Sequence, residues 1–480
     1  MKLLFAATEC APYFKSGGLG DVLGALPKEL AKKDHEVRVV LPYFVQQMGE
    51  KFKEQLEDVT DFTVKLGDWR ETYCGIKRLK KDGVTYYFID NLDYFNREEL
   101  YGYGDDAERF AFFQLAVLEM LEVVDYIPDV LHVNDWQTAA IPVLLKDKYQ
   151  WKEKLRDIRT VLTIHNLMFQ GIFDQEVLGE LFGIGYDAFH EHGLKYYDNV
   201  NFLKGGIYYS DLVTTVSPTY AEEIQTEEFG MGLHEDLQKV SGKLVGLLNG
   251  IDYDAYNPTT DETIPAKFSI DDLTGKEKNK ATLQEKAGLP KDPDIALIGV
   301  VTRLDEQKGI QLILDSLDEL LTHRDVQIVL LGTGKPYFEE GFNHFTEKYP
   351  KKFKGIIDFD VNLAQLIYAG ADMFLMPSAF EPCGLSQMNS MRYGTLPVVH
   401  EVGGLADTVR AYNYATGGGT GFSFYDFDAY TMRKIIDYAL TIYYDYPDEW
   451  QKLIEQAMQE NNSWKSAADS YIEKYKELVD

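Results

Sequence analysis

Cysteine is scarce: Cys10, Cys74 and Cys383 are the only three, without CxxC spacing. That excludes a disulfide-built scaffold and a clustered-thiolate zinc site, and it fits a reducing cytoplasm. Positive charge is scarce as well. Against 78 acidic side chains stand 48 lysines and arginines, a formal net charge of −30. Such a field repels nucleic acid and anionic membrane surfaces, so neither is expected as a partner. No apolar stretch approaches the ~18 residues of a membrane span. The opening run from Leu3 to Ala7 gives out at Thr8-Glu9, short of the ~7–15 apolar residues of a secretory segment. It reads as a buried first strand. HExxH, GxSxG and GxxxxGK[ST] are all missing, which leaves zincin, serine-hydrolase and P-loop chemistry without their residues.

What is present is a globular composition, 45% hydrophobic over 480 residues, with room for two large domains. Short apolar runs predict strands over 2–7, 37–41, 85–89, 129–133, 159–164 and 212–216. A second series follows over 295–301, 326–331, 356–359, 373–376 and 396–399. Helical periodicity marks 110–121, 310–321 and 363–369, then 435–443 and 464–478. Strands that alternate with helices predict parallel sheets covered on both faces. The turn-rich stretch 249–258 and the charged stretch 271–294 interrupt the pattern. The fold class expected is therefore α/β, two doubly wound Rossmann-like domains facing a central cleft. Residues 1–248 form the first and 249–456 the second, with 457–480 a helix that packs back toward the first. Ligands of such sheets bind beyond the carboxyl ends of strands, so chemistry is sought there.

After the first strand comes Lys15-Ser16-Gly17-Gly18-Leu19-Gly20-Asp21, running into a helix through Gly24. Backbone N–H groups at a helix start cradle a phosphate, and Lys15 adds a point charge. A dinucleotide fingerprint and a plain tight turn fit the same glycines. After 295–301 comes Arg303, with Lys308 five residues on. A guanidinium fork and an ammonium suit a diphosphate that gains charge as its bond breaks, while a solvated surface pair is the plainer reading. Glu381-Pro382-Cys383-Gly384-Leu385-Ser386 follows the strand at 373–376. Glu381 there is either a ligand for sugar hydroxyls or a helix-capping acid. Gly403-Gly404-Leu405-Ala406-Asp407-Thr408 repeats the glycine-into-helix device. In the first half, His132-Val133-Asn134-Asp135-Trp136-Gln137 and Thr163-Ile164-His165-Asn166 end two apolar strands with groups that recognise a hexose by hydrogen bonding and ring stacking. A structural histidine is the alternative at either place. Asp-x-Asp triplets, as at Asp252/Asp254, are expected by chance among so many acids, so no metal site is assigned.

Taken together and in order along nearly the whole chain, these motifs, with Asn249-Gly250-Ile251-Asp252, resemble the bacterial glycogen synthases and plant starch synthases. The resemblance implies a GT-B fold and transfer of glucose from ADP-glucose, with UDP-glucose the other candidate donor, to the non-reducing end of an α-1,4-glucan. It implies retention of configuration and neither metal nor cofactor. By motif, Lys15, Gly17, Gly18, Arg303 and Lys308 would hold the diphosphate, with Asp21, Leu385 and Ser386 nearby on the donor. Asp135, Trp136, His165, Asn166, Asn249, Glu381, Cys383 and Gly384 would line the glucose pocket. His165, Glu381, Arg303, Lys308 and Lys15 are the residues expected to carry the reaction. One departure stands out: retaining GT-B enzymes often place a second Glu eight positions after the first, and here that position is Asn389. Ser16 also stands where Thr is common.

Two other classes remain in view. A dinucleotide oxidoreductase would explain the first loop, yet it calls for an acid after a second strand, a place to which Asp34 and Glu36 come only approximately. A non-catalytic glucan-binding protein would use the 32 tyrosines as stacking surfaces but has no call for Lys15, Arg303 and Lys308 at strand ends.

Overall fold

Leu3, Leu4, Phe5 and Ala6 are all buried, and a strand covered on both faces belongs in the middle of a sheet. In the computed structural model, which describes residues 1–480, Lys2–Ala6 runs parallel to Glu36–Pro42 on one side and to Val130–Asn134 on the other. The whole sheet has nine strands in the order 244–246, 212–215, 159–164, 130–134, 2–6, 36–42, 84–90, 70–81, 57–66. The first seven are parallel, and the last two form an antiparallel edge that the sequence reading does not foresee. The edge strand Glu57–Leu66 exposes most of its charged residues and buries only Val64 and Leu66, so its alternation is faint. A three-stranded sheet of 172–174, 199–201 and 195–196 lies apart.

The second sheet has six parallel strands in the order 353–356, 326–331, 296–301, 373–376, 396–400, 422–424. Where a strand was expected at 356–359, the ladder instead occupies Phe353–Ile356, paired with Ile328–Leu331. Phe359 is 84% exposed, so the apolar run mixes a strand end with a surface loop.

The chain divides into two compact units, Met1–Asn249 with Trp464–Asp480, and Gly250–Ser463. The expected break after 456 falls inside the helix Pro447–Gln459, which buries Ala457 and Met458, so the return to the first unit comes only at Trp464. Helix Trp464–Val479 then lies on helix Gly18–Ala31. Tyr475 Oη meets His132 Nδ1 at 2.7 Å, and Lys33 pairs with Asp469. No helix is long and apolar enough to cross a membrane.

In both sheets the strand order reverses beside the first strand of the unit. The chain moves outward from 2–6 through 36–42 and returns to the other side at 130–134; it moves outward from 296–301 through 326–331 and returns at 373–376. Loops leaving a reversal point diverge to opposite faces and open a crevice at the carboxyl ends.

Candidate active site

In the second unit, the reversal point opens a pocket lined by Val301, Thr302, Arg303, Lys308, Leu375, Met376, Pro377, Ser378 and Ser386. Two backbones close it tightly. Gly309 has φ +69°, and a Cβ there would lie 1.9 Å from the carbonyl oxygen of Pro377, so no other residue fits. Ala379 N donates to Gln307 O at 2.7 Å, tying the two loops together. Lys308 Nζ then meets Glu381 Oε2 at 2.7 Å, with both side chains largely buried. Ser378 Oγ donates to the same carboxylate oxygen at 2.9 Å. Arg303 behaves differently: its side chain is 70% exposed and stands 3.6 Å from Asp305 Oδ2, leaving the guanidinium free to reach a ligand.

Downstream, Gly404 N donates to Glu381 O, and the backbone of Cys383 packs where any Cβ on Gly404 would sit. Gly384 turns at φ +71°. Gln387 Nε2 donates to the carbonyls of Cys383 and Gly384, fixing the stretch Glu381 to Leu385 against the helix Ser386–Arg392. Asn389, where a second carboxylate was looked for, is buried with Oδ1 unpartnered.

In the first unit, helix Gly18–Ala31 starts at the loop expected to bind phosphate. A residue without a motif holds that loop. Buried Glu9 accepts from Ser16 N at 2.7 Å, Gly17 N at 3.0 Å, Ser16 Oγ at 2.8 Å and Tyr101 Oη at 2.8 Å. Sequence reasoning missed it; the signal available was a carboxylate directly after the buried first strand. Lys15 Nζ lies 2.7 Å from Asp21 Oδ1, and the pair is half-exposed.

The other reversal-point loop begins at Asp135, held at φ +57°, a region an aspartate tolerates better than most residues. Its Oδ1 accepts from His165 N at 2.8 Å. Burial, with the charge of Glu9 added, raises the Asp135 carboxyl to about 7. His165 donates from Nε2 to Asn134 Oδ1 at 2.9 Å, while its Nδ1 is buried without a partner. Burial lowers the imidazole to about 3, so the ring is neutral and Nδ1 is a bare acceptor. Asn166 Oδ1 accepts from Met168 N, and Asn249 Oδ1 is buried and unpartnered.

Two groups read as sugar contacts serve the core instead. His132 lies between Tyr475 and Thr163 with its imidazole depressed to about 3 by burial. Trp136 packs on Phe110, Phe173 and Phe202 at centroid distances of 5.3–6.3 Å, so its ring is not presented for stacking on a sugar. A Cβ on Gly171 would lie 2.5 Å from that indole, which shows how closely the loop after Asn166 is laid over it.

Comparison with known proteins shows the family to which this fold belongs. Residues 2–239 match the model of the starch synthase catalytic domain, and residues 279–460 match glycosyl transferases group 1. Glycogen synthase of Lactococcus lactis subsp. lactis (strain IL1403) is 55% identical over 480 residues, with each chain fully covered. Glycogen synthase of Ligilactobacillus salivarius (strain UCC118) is likewise 55% identical over the full length of both. Among solved structures, the catalytic domain of starch synthase IV from Arabidopsis thaliana, bound to ADP and acarbose, superposes with a TM-score of 0.90 at 35% identity, covering 100% of this chain and 99% of that one. A sucrose-phosphate synthase from Thermosynechococcus elongatus shares the fold, with a TM-score of 0.62 at 16% identity. The chain belongs to the glycogen synthase and starch synthase family, two-domain glycosyltransferases of the GT-B fold that transfer glucosyl units to a glucan.

Proposed function

We propose that the protein transfers glucose from ADP-glucose to the non-reducing end of an α-1,4-glucan with retention of configuration, in the cytoplasm. The observation that carries the donor assignment is the pocket of the second unit, where Arg303 and Lys308 stand in the loop beyond the carboxyl end of strand 296–301, beside the reversal point. As the bond from the sugar C1 to the β-phosphate oxygen breaks, negative charge grows on that phosphate. Fixed cations beside it lower the barrier. The ADP bound by the Arabidopsis starch synthase supports the adenine nucleotide.

Retention by double displacement needs a carboxylate nucleophile on the free face of the sugar. Glu381 is already engaged by Lys308 and Ser378, and Asn389 offers no carboxylate. The reading favoured is substitution on one face: the acceptor O4 bonds to C1 as the phosphate oxygen leaves, and the acceptor proton passes to that departing oxygen. Arg303 and Lys308 absorb its charge, Lys15, Gly17 and Gly18 hold the diphosphate, and Asp21 lies nearby on the donor. Neutral His165 positions the sugar, its bare Nδ1 accepting from a hydroxyl. Asp135, Asn166, Asn249, Glu381, Cys383, Gly384, Leu385 and Ser386 contact the donor. Trp136 acts from beneath by supporting the loop at Gly171.

Incubation with radiolabelled ADP-glucose or UDP-glucose and glycogen tests the reaction. Incorporation with ADP-glucose, at a higher kcat/KM than with UDP-glucose, is expected; no incorporation from either overturns it. Arg303→Ala is expected to lower kcat by about 10²–10³-fold, in the range found for removal of one preorganised charge-stabilising group. Near-normal turnover refutes the diphosphate role.

A further inference from the structure

We infer that His400 is a positioning residue for the donor site: buried behind the pocket, it fixes the carbonyl of Ser378 and through it the seat of Glu381 and Lys308. The inference rests on the donor-site reading above. His400 ends the strand Leu396–His400 and is 5% exposed. Its ring lies against Phe424 at 5.3 Å and Phe427 at 5.1 Å, so it has little freedom to turn. Nδ1 stands 2.7 Å from Ser378 O, and Nε2 stands 3.0 Å from Tyr425 O. Both neighbours are carbonyl oxygens, and the shorter contact, at Nδ1, is the one to which the ring donates its N–H.

The chain of contacts runs directly to the proposed chemistry. Ser378 lines the pocket and gives its hydroxyl proton to Glu381 Oε2, the oxygen that also receives Lys308 Nζ. The loop from Pro377 to Glu381 has no regular structure of its own. It is pinned at Ala379 to Gln307, at Glu381 to Gly404, and at Ser378 to His400. Ala379 N, on the same peptide as Ser378 O, stays on Gln307 O, so release of the last pin frees the carbonyl end of that peptide alone, and its tilt draws the Ser378 hydroxyl away from Glu381. The carboxylate then keeps only Lys308, and the ammonium shifts with it.

Asparagine and glutamine separate this role from simple filling of space. Asn at 400 places its amide nitrogen near the position of Nδ1 and keeps the donor to Ser378 O; Gln places it near Nε2 and turns the donor toward Tyr425 O instead. Both lose the ring. His400→Asn is expected to stay within about threefold of the unaltered chain in kcat/KM for ADP-glucose. His400→Gln, which strands a buried carbonyl beside the site, is expected to fall at least about tenfold. Equal values, or the reverse order, overturn the inference. Should either variant fail to fold, the unaltered chain decides: the His400 Nδ1 resonance in ¹⁵N-labelled protein is expected to show a directly bonded proton, and an unprotonated Nδ1 overturns the inference. Glu381→Ala reads the underlying assignment separately. Unchanged turnover there sinks the donor-site reading, whereas a large loss there with no difference between Asn and Gln at 400 sinks the role of His400 alone.

Discussion

The two cationic loops are built by opposite means. The loop after Lys2–Ala6 is shaped from behind by Glu9, which uses two backbone N–H groups and two hydroxyls, and its lysine sits half-exposed on Asp21. The loop after Ala296–Val301 is shaped by glycine-permitted backbone contacts, and its lysine is itself sunk against Glu381. A half-exposed ion pair adds little to folding, whereas breaking a buried one strands a charge. Lys15 is thus replaceable as far as the fold is concerned. Lys308 is not.

The sharpest test is Lys308→Ala. It leaves the Glu381 carboxylate on the Ser378 hydroxyl, and it is expected to cost about 3 kcal/mol of stability by denaturant unfolding, with kcat reduced about 10²–10³-fold. Next comes Glu9→Gln, which removes the charge from a site of four donors and should cost about 2 kcal/mol, with kcat/KM about tenfold lower. An unchanged melting temperature in that variant would show that the first loop holds itself.

Asp135 gives a pH-dependent effect. Its carboxyl is raised to about 7 in the folded chain, against ~3.9 for an unfolded aspartate. The folded state therefore binds the proton more tightly, and the stability this group contributes is present at low pH and lost as pH climbs from about 4 through about 7. Relative to the unaltered chain, Asp135→Asn should melt at a higher temperature at pH 8 than the same comparison gives at pH 4. A difference independent of pH would contradict the burial of that carboxyl. The smallest effect belongs to Lys15→Ala, expected to change stability by less than about 0.5 kcal/mol while weakening ADP binding in calorimetry. A loss as large as that of Lys308→Ala would erase the contrast between the loops.

Much of this frame is legible in the residues. Buried parallel strands are continuous apolar runs, so 2–6, 130–134, 159–164, 296–301 and 326–331 stand out, and the polar residues after 130–134 and 296–301 lie at the reversal points. The antiparallel edge does not, because Glu57–Leu66 faces solvent along most of its length and its charges mask the period of two. Glu9 has no motif: its role exists only once Ser16 and Gly17 fold back over it. His132 and Trp136 fail for the converse reason. Adjacent in sequence to site residues, they point into the core, toward Tyr475 and toward Phe110, and a strand end does not announce which way a side chain turns.

Because Trp464–Asp480 returns to the first unit, the segment Gly250–Ser463 is, in covalent terms, an insertion within its neighbour. On the ribosome the inserted unit is complete and able to fold while the host still waits for its last helix, inverting the usual amino-terminal-first order. Until residue 475 emerges, His132 lacks the hydroxyl that meets it in the finished protein. A nascent or truncated chain that ends before Trp464 would thus carry a finished second unit joined to a host whose core is still open to water.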